Sequence, residues 1–155
     1  QQATQVFSGV VVQNILGAYH ASTFPRPGVC HTVRVPEWDG HQIVDGKQDG
    51  SVLMVLAAKG GQYHKFILRF APDYASYDLR TIRDVSVSAL NFVTLDSGVC
   101  LHLEGEDLEL FSSRKDSPDI KVLSDPALAG ATLFKHGAQV YFAKGKTLYS
   151  MTMKQ

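Results

Sequence analysis

Two stretches near the C-terminus repeat one design. Phe92–Phe111 and Ala131–Ser150 each contain a short apolar strand, a glycine turn (Gly98 and Gly137), a second strand, a tighter glycine turn (Gly105 and Gly145) and a third strand. Glycine reaches the positive φ angles of tight turns without steric cost, so matching glycines commit both stretches to antiparallel meanders. In the first copy Val99, Leu101 and Leu103 alternate with Cys100, His102 and Glu104, which places the three apolar side chains on one face. A meander this small has an apolar face it cannot bury alone, so such units stack.

The rest of the chain reads in the same way. Short runs rich in Val, Leu, Phe and Tyr lie between Gly, Asp and Ser clusters. Strands are expected at Gln5–Phe7, Val10–Leu16, Cys30–Val35, Gln42–Val44, Ser51–Ala58 and His64–Phe70, the last two joined by a hairpin at Gly60-Gly61. Pro25 and Pro27 predict a loop over Ser22–Gly28, and Pro36–Gly40 has turn chemistry. Asp45-Gly46 is expected to close the strand before it. Ala71–Val87 fits either a strand-loop-strand or one helical turn. Ser112–Pro126 is a polar connection around the apolar stretch Ile120–Leu123, and the last hairpin is expected to run to Met153.

This pattern predicts a single all-β domain over residues 1–155, built of antiparallel meander and hairpin repeats. Two arrangements suit it. One is a β-sandwich or barrel, a trefoil included. The other is a small propeller-like arrangement, because Gly50, Gly98 and Gly137 recur at roughly 40–48 residues, the period of propeller blades.

Composition narrows the function classes. Fifteen basic and fifteen acidic side chains cancel, which removes the long-range field that steers proteins to nucleic acid or anionic membrane. Neutrality also removes one barrier to self-association, so a homo-oligomer fits. No apolar run approaches the roughly 20 residues of a membrane span, and a soluble chain is expected. The opening Gln1-Gln2, in place of Met, is read either as a terminus left after removal of an N-terminal segment, as in secretion, or as an internal boundary. Cys30 and Cys100 are the two cysteines. They are read either as one long-loop disulfide, contributing roughly 4–5 kcal/mol on a chain-entropy treatment, or as two buried thiols.

The candidate chemistry is sparse. The six histidines lack zinc-motif spacing, and no metal or cofactor is expected. Asp39, Asp45 and Asp49 each precede glycine, as hairpin turns do, without the acidic ligands of a calcium loop. His102 with Glu104, or His31 with Asp39, would provide the imidazole and carboxylate of a small hydrolase or lyase. His102 is read as solvated, on the polar face of its strand. The acidic turn around Glu104, Glu106, Asp107 and Glu109 contrasts with Lys144, Lys146 and nearby Lys135 at the equivalent turn. These turns either face one another, join copies head to tail, or keep strand edges soluble. Aromatics cluster as Phe66, Phe70, Tyr74 and Tyr77, near Arg69, Arg80 and Arg83 where single-stranded nucleic acid or a sugar could stack, and as Phe134, Tyr141, Phe142 and Tyr149; most of them are read as core.

The function that best suits these features is a non-catalytic binding or assembly module that presents loops to a protein or glycan. Phe24, Arg26, His31 and Trp38 combine aromatic, cationic and imidazole groups in one loop region and are the candidate ligand-binding residues, with Trp38 as an exposed anchor or a core residue. The alternatives are the histidine/carboxylate enzyme and a structural subunit of a larger assembly.

Overall fold

The computed structural model describes residues 2–82, 85, 88–95, 99–112 and 119–151. Among these the chain is all-β: fifteen strands and two single-turn 3-10 helices, with the strands in four antiparallel sheets. None of the sheets closes into a barrel. Each is a sequential meander in which every strand pairs with its neighbour in sequence, the strand order of a propeller blade.

Two compact units hold these sheets in pairs. The first contains β1 (Gln2–Phe7), β2 (Val10–Ile15), β3 (Ala18–Arg26) and β4 (Val29–Arg34), then η1 (Pro36–Trp38), then β5 (Gln42–Asp49), β6 (Val52–Lys59), β7 (Gln62–Phe70) and β8 (Tyr77–Ile82). The second contains β9 (Phe92–Thr94), β10 (Val99–Glu104), β11 (Asp107–Ser112) and β12 (Ile120–Ser124), then η2 (Pro126–Leu128), then β13 (Thr132–His136), β14 (Gln139–Lys144) and β15 (Thr147–Met151).

Period-two alternation builds each core. In the first unit Val10, Val12, Tyr19, Ala21 and Val33 come from one sheet, and Leu53, Val55, Ala57, Phe66, Leu68 and Phe70 from the other. In the second unit Leu101, Leu103 and Leu108 meet Leu133, Val140 and Phe142. Each large apolar side chain removed from water in this way contributes about 1.5–3 kcal/mol. β6 departs from alternation because its run is apolar throughout, and Val52, Met54 and Leu56 on its second face are buried too. On β7, Lys65 is fully buried and donates from Nζ to the Ala89 carbonyl at 2.8 Å.

The step from the first sheet to the second is the same device in both units. Pro36-Glu-Trp38 and Pro126-Ala-Leu128 each form one 3-10 turn, with proline supplying the fixed φ of a first helical position. The amide of Trp38 donates to Val35 O at 3.2 Å, as that of Leu128 does to Asp125 O at 2.9 Å. Gly40 and Gly130 then turn the chain at φ 78° and 82°. Trp38 and Leu128 point inward and join the cores. This repeat is invisible to a search for matching hairpins, because only proline, one inward apolar residue and glycine are shared.

Side-chain amides tie the first strands of paired sheets. Gln5 Nε2 on β1 donates to Ile43 O on β5 at 3.0 Å. In the second unit Asn91 Nδ2 donates to Ala131 O at 2.7 Å, and Asn91 Oδ1 accepts from the Leu133 amide at 2.8 Å.

Several expectations change. β3 runs through the predicted loop, so that only Pro27-Gly28 turns. Pro25 is tolerated because the β3–β4 register breaks between Thr23 and Arg26, where no ladder hydrogen bond is needed from its nitrogen. Asp45-Gly46 lies within β5, not in a turn. A bulge between Ile43 and Asp45 absorbs the irregularity, and the turn falls at Gly50. The helical alternative in Ala71–Val87 gives way to β8, which pairs with β7, and Ile120–Leu123 becomes β12 on the edge of β11. The predicted turn glycine Gly98 and the predicted end at Met153 lie outside the described residues.

Candidate functional site

Three of the four loop-region candidates share the β3–β4 hairpin. Phe24 is 55% exposed, Arg26 is exposed beside the Pro27-Gly28 tip, and His31 on β4 pairs across from Thr23. The His31 ring stacks on Tyr74 at 6.4 Å, and Tyr74 in turn lies 6.0 Å from core residue Phe70. This aromatic run anchors the hairpin to the second sheet of its own unit and leaves the tip open. Trp38 is not with them: it is fully buried, edge-on to Tyr19 at 6.2 Å. Its core role follows from the 3-10 turn, which swings the indole inward. Trp38 is therefore not an exposed anchor.

Below the hairpin lies a polar clamp that the sequence did not single out. The Arg34 guanidinium grips Asp39 with both arms, Nη1 to Oδ1 at 2.9 Å and Nη2 to Oδ2. Asp39 Oδ1 also accepts from the Tyr19 amide at 3.2 Å. Tyr19 Oη donates to His41 O at 2.8 Å. From β8, Tyr77 Oη donates to Glu37 Oε1 at 2.6 Å and lies 3.2 Å from Arg34 O. The hydrogen bonds from Arg34 hold the Asp39 carboxyl below its usual range. Burial, then the hydrogen bond to Glu37, push the Tyr77 hydroxyl above its usual range. An ionised, fully engaged Asp39 and a reluctant phenol suit holding a geometry better than moving protons near neutral pH. Asp39 thus serves Arg34 and Tyr19, while His31 stacks on Tyr74.

His102 and Glu104 do meet, Nε2 to Oε1 at 3.6 Å. Contrary to the solvated reading, His102 is fully buried, 5.7 Å from the ring of Phe111. Alternation along β10 is as expected, but both its faces are inside, which a single strand's pattern does not reveal. Cys30 is exposed on β4 of the first unit, and Cys100 is buried on β10 of the second, so only one of the two has the buried position expected of a core thiol. Each sulfur has a threonine hydroxyl at 3.9 Å, Thr32 and Thr94 respectively.

The oppositely charged turns of the second unit have local partners. Asp107 accepts from Ser124 Oγ at 2.6 Å and lies 3.5 Å from Lys121 Nζ. These contacts, the hydrogen bond from Ser124 first, hold its carboxyl low. Lys144 reaches Ala127 O at 3.4 Å, and Lys135 reaches Thr94 O. Two aromatics read as core are on the surface instead. Phe134 is 37% exposed and stacks on Tyr141 at 5.4 Å, and Tyr149 is exposed. Register places Phe134, Tyr141 and the exposed Leu148 on one outer face.

Among the described residues no three histidine, cysteine, aspartate or glutamate side chains cluster as a metal site, and no helix is long and apolar enough to cross a membrane. Fold and side chains together define an all-β protein of paired meander sheets with an open hairpin tip. No protein-family model matches the chain, and no curated protein matches it.

Proposed function

We propose that the protein is a non-catalytic binding or assembly module that presents the β3–β4 hairpin to a protein or glycan. The observation that carries this reading is Phe24, more than half exposed beside Arg26 on a hairpin whose base is held by the His31–Tyr74–Phe70 run. Aromatic and arginine side chains dominate binding hot spots, and a rigid base lowers the ordering entropy lost on binding. The histidine/carboxylate enzyme has weaker support, since His102 has no exposed surface to offer a substrate.

The test presents wild type and the Phe24→Ala/Arg26→Ala variant to a glycan array and to an array of extracellular protein domains. The expected result is a ligand bound by wild type and lost about tenfold or more by the variant. Undiminished binding by the variant overturns the assignment, and an absence of binding on both arrays overturns the ligand class.

The assembly side of the reading rests on the outer face of β13–β15. Phe134, Tyr141 and Leu148 make an apolar surface of the kind that marks contacts between proteins. Light-scattering mass is expected to exceed that of one chain in wild type and to fall to it in Phe134→Ser/Leu148→Ser. A wild-type monomer at micromolar concentration removes the assembly reading.

A further inference from the structure

We propose that His41 and His64 form a two-histidine site for a divalent transition-metal ion, Cu(II), Ni(II) or Zn(II). The register brings them together. Ile43 pairs with Ala57 and Ala57 with His64, so His41, two residues before Ile43, lies on the same face of the sheet as His64. Ala57, between them in the register, carries only a methyl group, and the rings stand 5.8 Å apart, inclined at 71°. Both are half-buried, which keeps a route to solvent.

The nitrogens are prepared for ligation. His41 Nδ1 lies 3.3 Å from Asp39 O. A carbonyl only accepts, so this nitrogen carries the proton and the neutral ring keeps its lone pair at Nε2. A backbone carbonyl on the far nitrogen is also how metal-binding histidines are oriented. His64 Nδ1 is buried and has no hydrogen-bond partner among the described residues. Phe66 closes one side, 5.2 Å from His41. Among the described residues no third histidine, cysteine, aspartate or glutamate joins them, so water fills the ion's other positions, and imidazole donors select copper, nickel and zinc over magnesium or calcium. The Lys59 ammonium lies near Gly40, 3.6 Å from where a Cβ there would be, and opposes the cation.

The test titrates Ni(II), then Cu(II), into the intact protein and follows histidine and backbone resonances. Paramagnetic broadening is expected to centre on His41, His64 and Phe66. His41→Gln and His64→Gln should each weaken binding by at least the roughly tenfold that loss of an outer-shell partner brings, and Lys59→Met should tighten it. Broadening centred on His20, His31 or His136 overturns the proposal, as does unchanged affinity in the double variant. If a variant fails to fold, the wild-type broadening map decides alone.

Discussion

Trp38 and Leu128 occupy the same position in two copies of one connector: each is the last residue of a proline-initiated 3-10 turn, and each is buried in the core of its own unit. The connector turns a β-strand into an inward plug before the next sheet begins. Truncation should therefore act as a core cavity. Trp38→Ala is expected to destabilise by about 3–5 kcal/mol and Leu128→Ala by about 2–5 kcal/mol, read from urea midpoints at constant m. Loss of under 1 kcal/mol at either position would mean the plug does not support the core.

Asn91 is the amide that holds β9 beside β13, with one donated and one accepted hydrogen bond. Asn91→Ala leaves the Ala131 carbonyl and the Leu133 amide without this partner and is expected to destabilise by about 1–3 kcal/mol. Asn91→Asp keeps the acceptor for Leu133 but sets a carboxylate against the Ala131 carbonyl. Hydrogen exchange should accelerate at the Leu133 amide in Asn91→Ala and much less in Asn91→Asp.

Gly46 and Phe7 make a close approach between β5 and β1. A Cβ on Gly46 would lie 2.7 Å from the Phe7 ring, inside any real contact. Gly46→Ala is expected to destabilise by about 1–3 kcal/mol through overpacking. Adding Phe7→Ala should then do less harm than Phe7→Ala does alone. An additive double-mutant cycle would show that the two residues do not compete for space.

Tyr77 sets an alkaline limit. Its folded-state hydroxyl keeps the proton past the ordinary value of 10.0. Above that pH the unfolded chain has lost the proton and the folded chain has not, so stability falls as pH rises. Tyr77→Phe should remove this part of the slope and, at neutral pH, lose about 1 kcal/mol with the bond to Glu37. Urea midpoints at about pH 9 and pH 11 for both proteins check it, and equal slopes would refute the shift.

Legibility in the sequence followed the range of the interaction involved. Val10, Val12, Leu101 and Leu103 declared their strands by alternation, and Gly60-Gly61, Gly105, Gly137 and Gly145 marked turns, because both depend on a few adjacent residues. Pro25 and Asp45-Gly46 misled, since a register break and a bulge let strands carry residues that usually end them. Phe24 and Arg26 were expected in a loop but lie at the end of β3, beside the Pro27-Gly28 turn. The Arg34–Asp39 clamp was not legible, because Asp39 precedes a glycine and looks like any turn aspartate until η1 folds it back onto Tyr19.

By itself the sequence determined an all-β chain of glycine-turned antiparallel meanders, since φ preference and period-two patterning act within a strand and its nearest turn. Tertiary structure decided which faces are closed. It put Trp38 in the core, buried His102 on what looked like a polar face, left Phe134 and Tyr149 outside and set His41 beside His64. Burial depends on residues remote along the chain, and no pattern internal to one strand encodes what covers it.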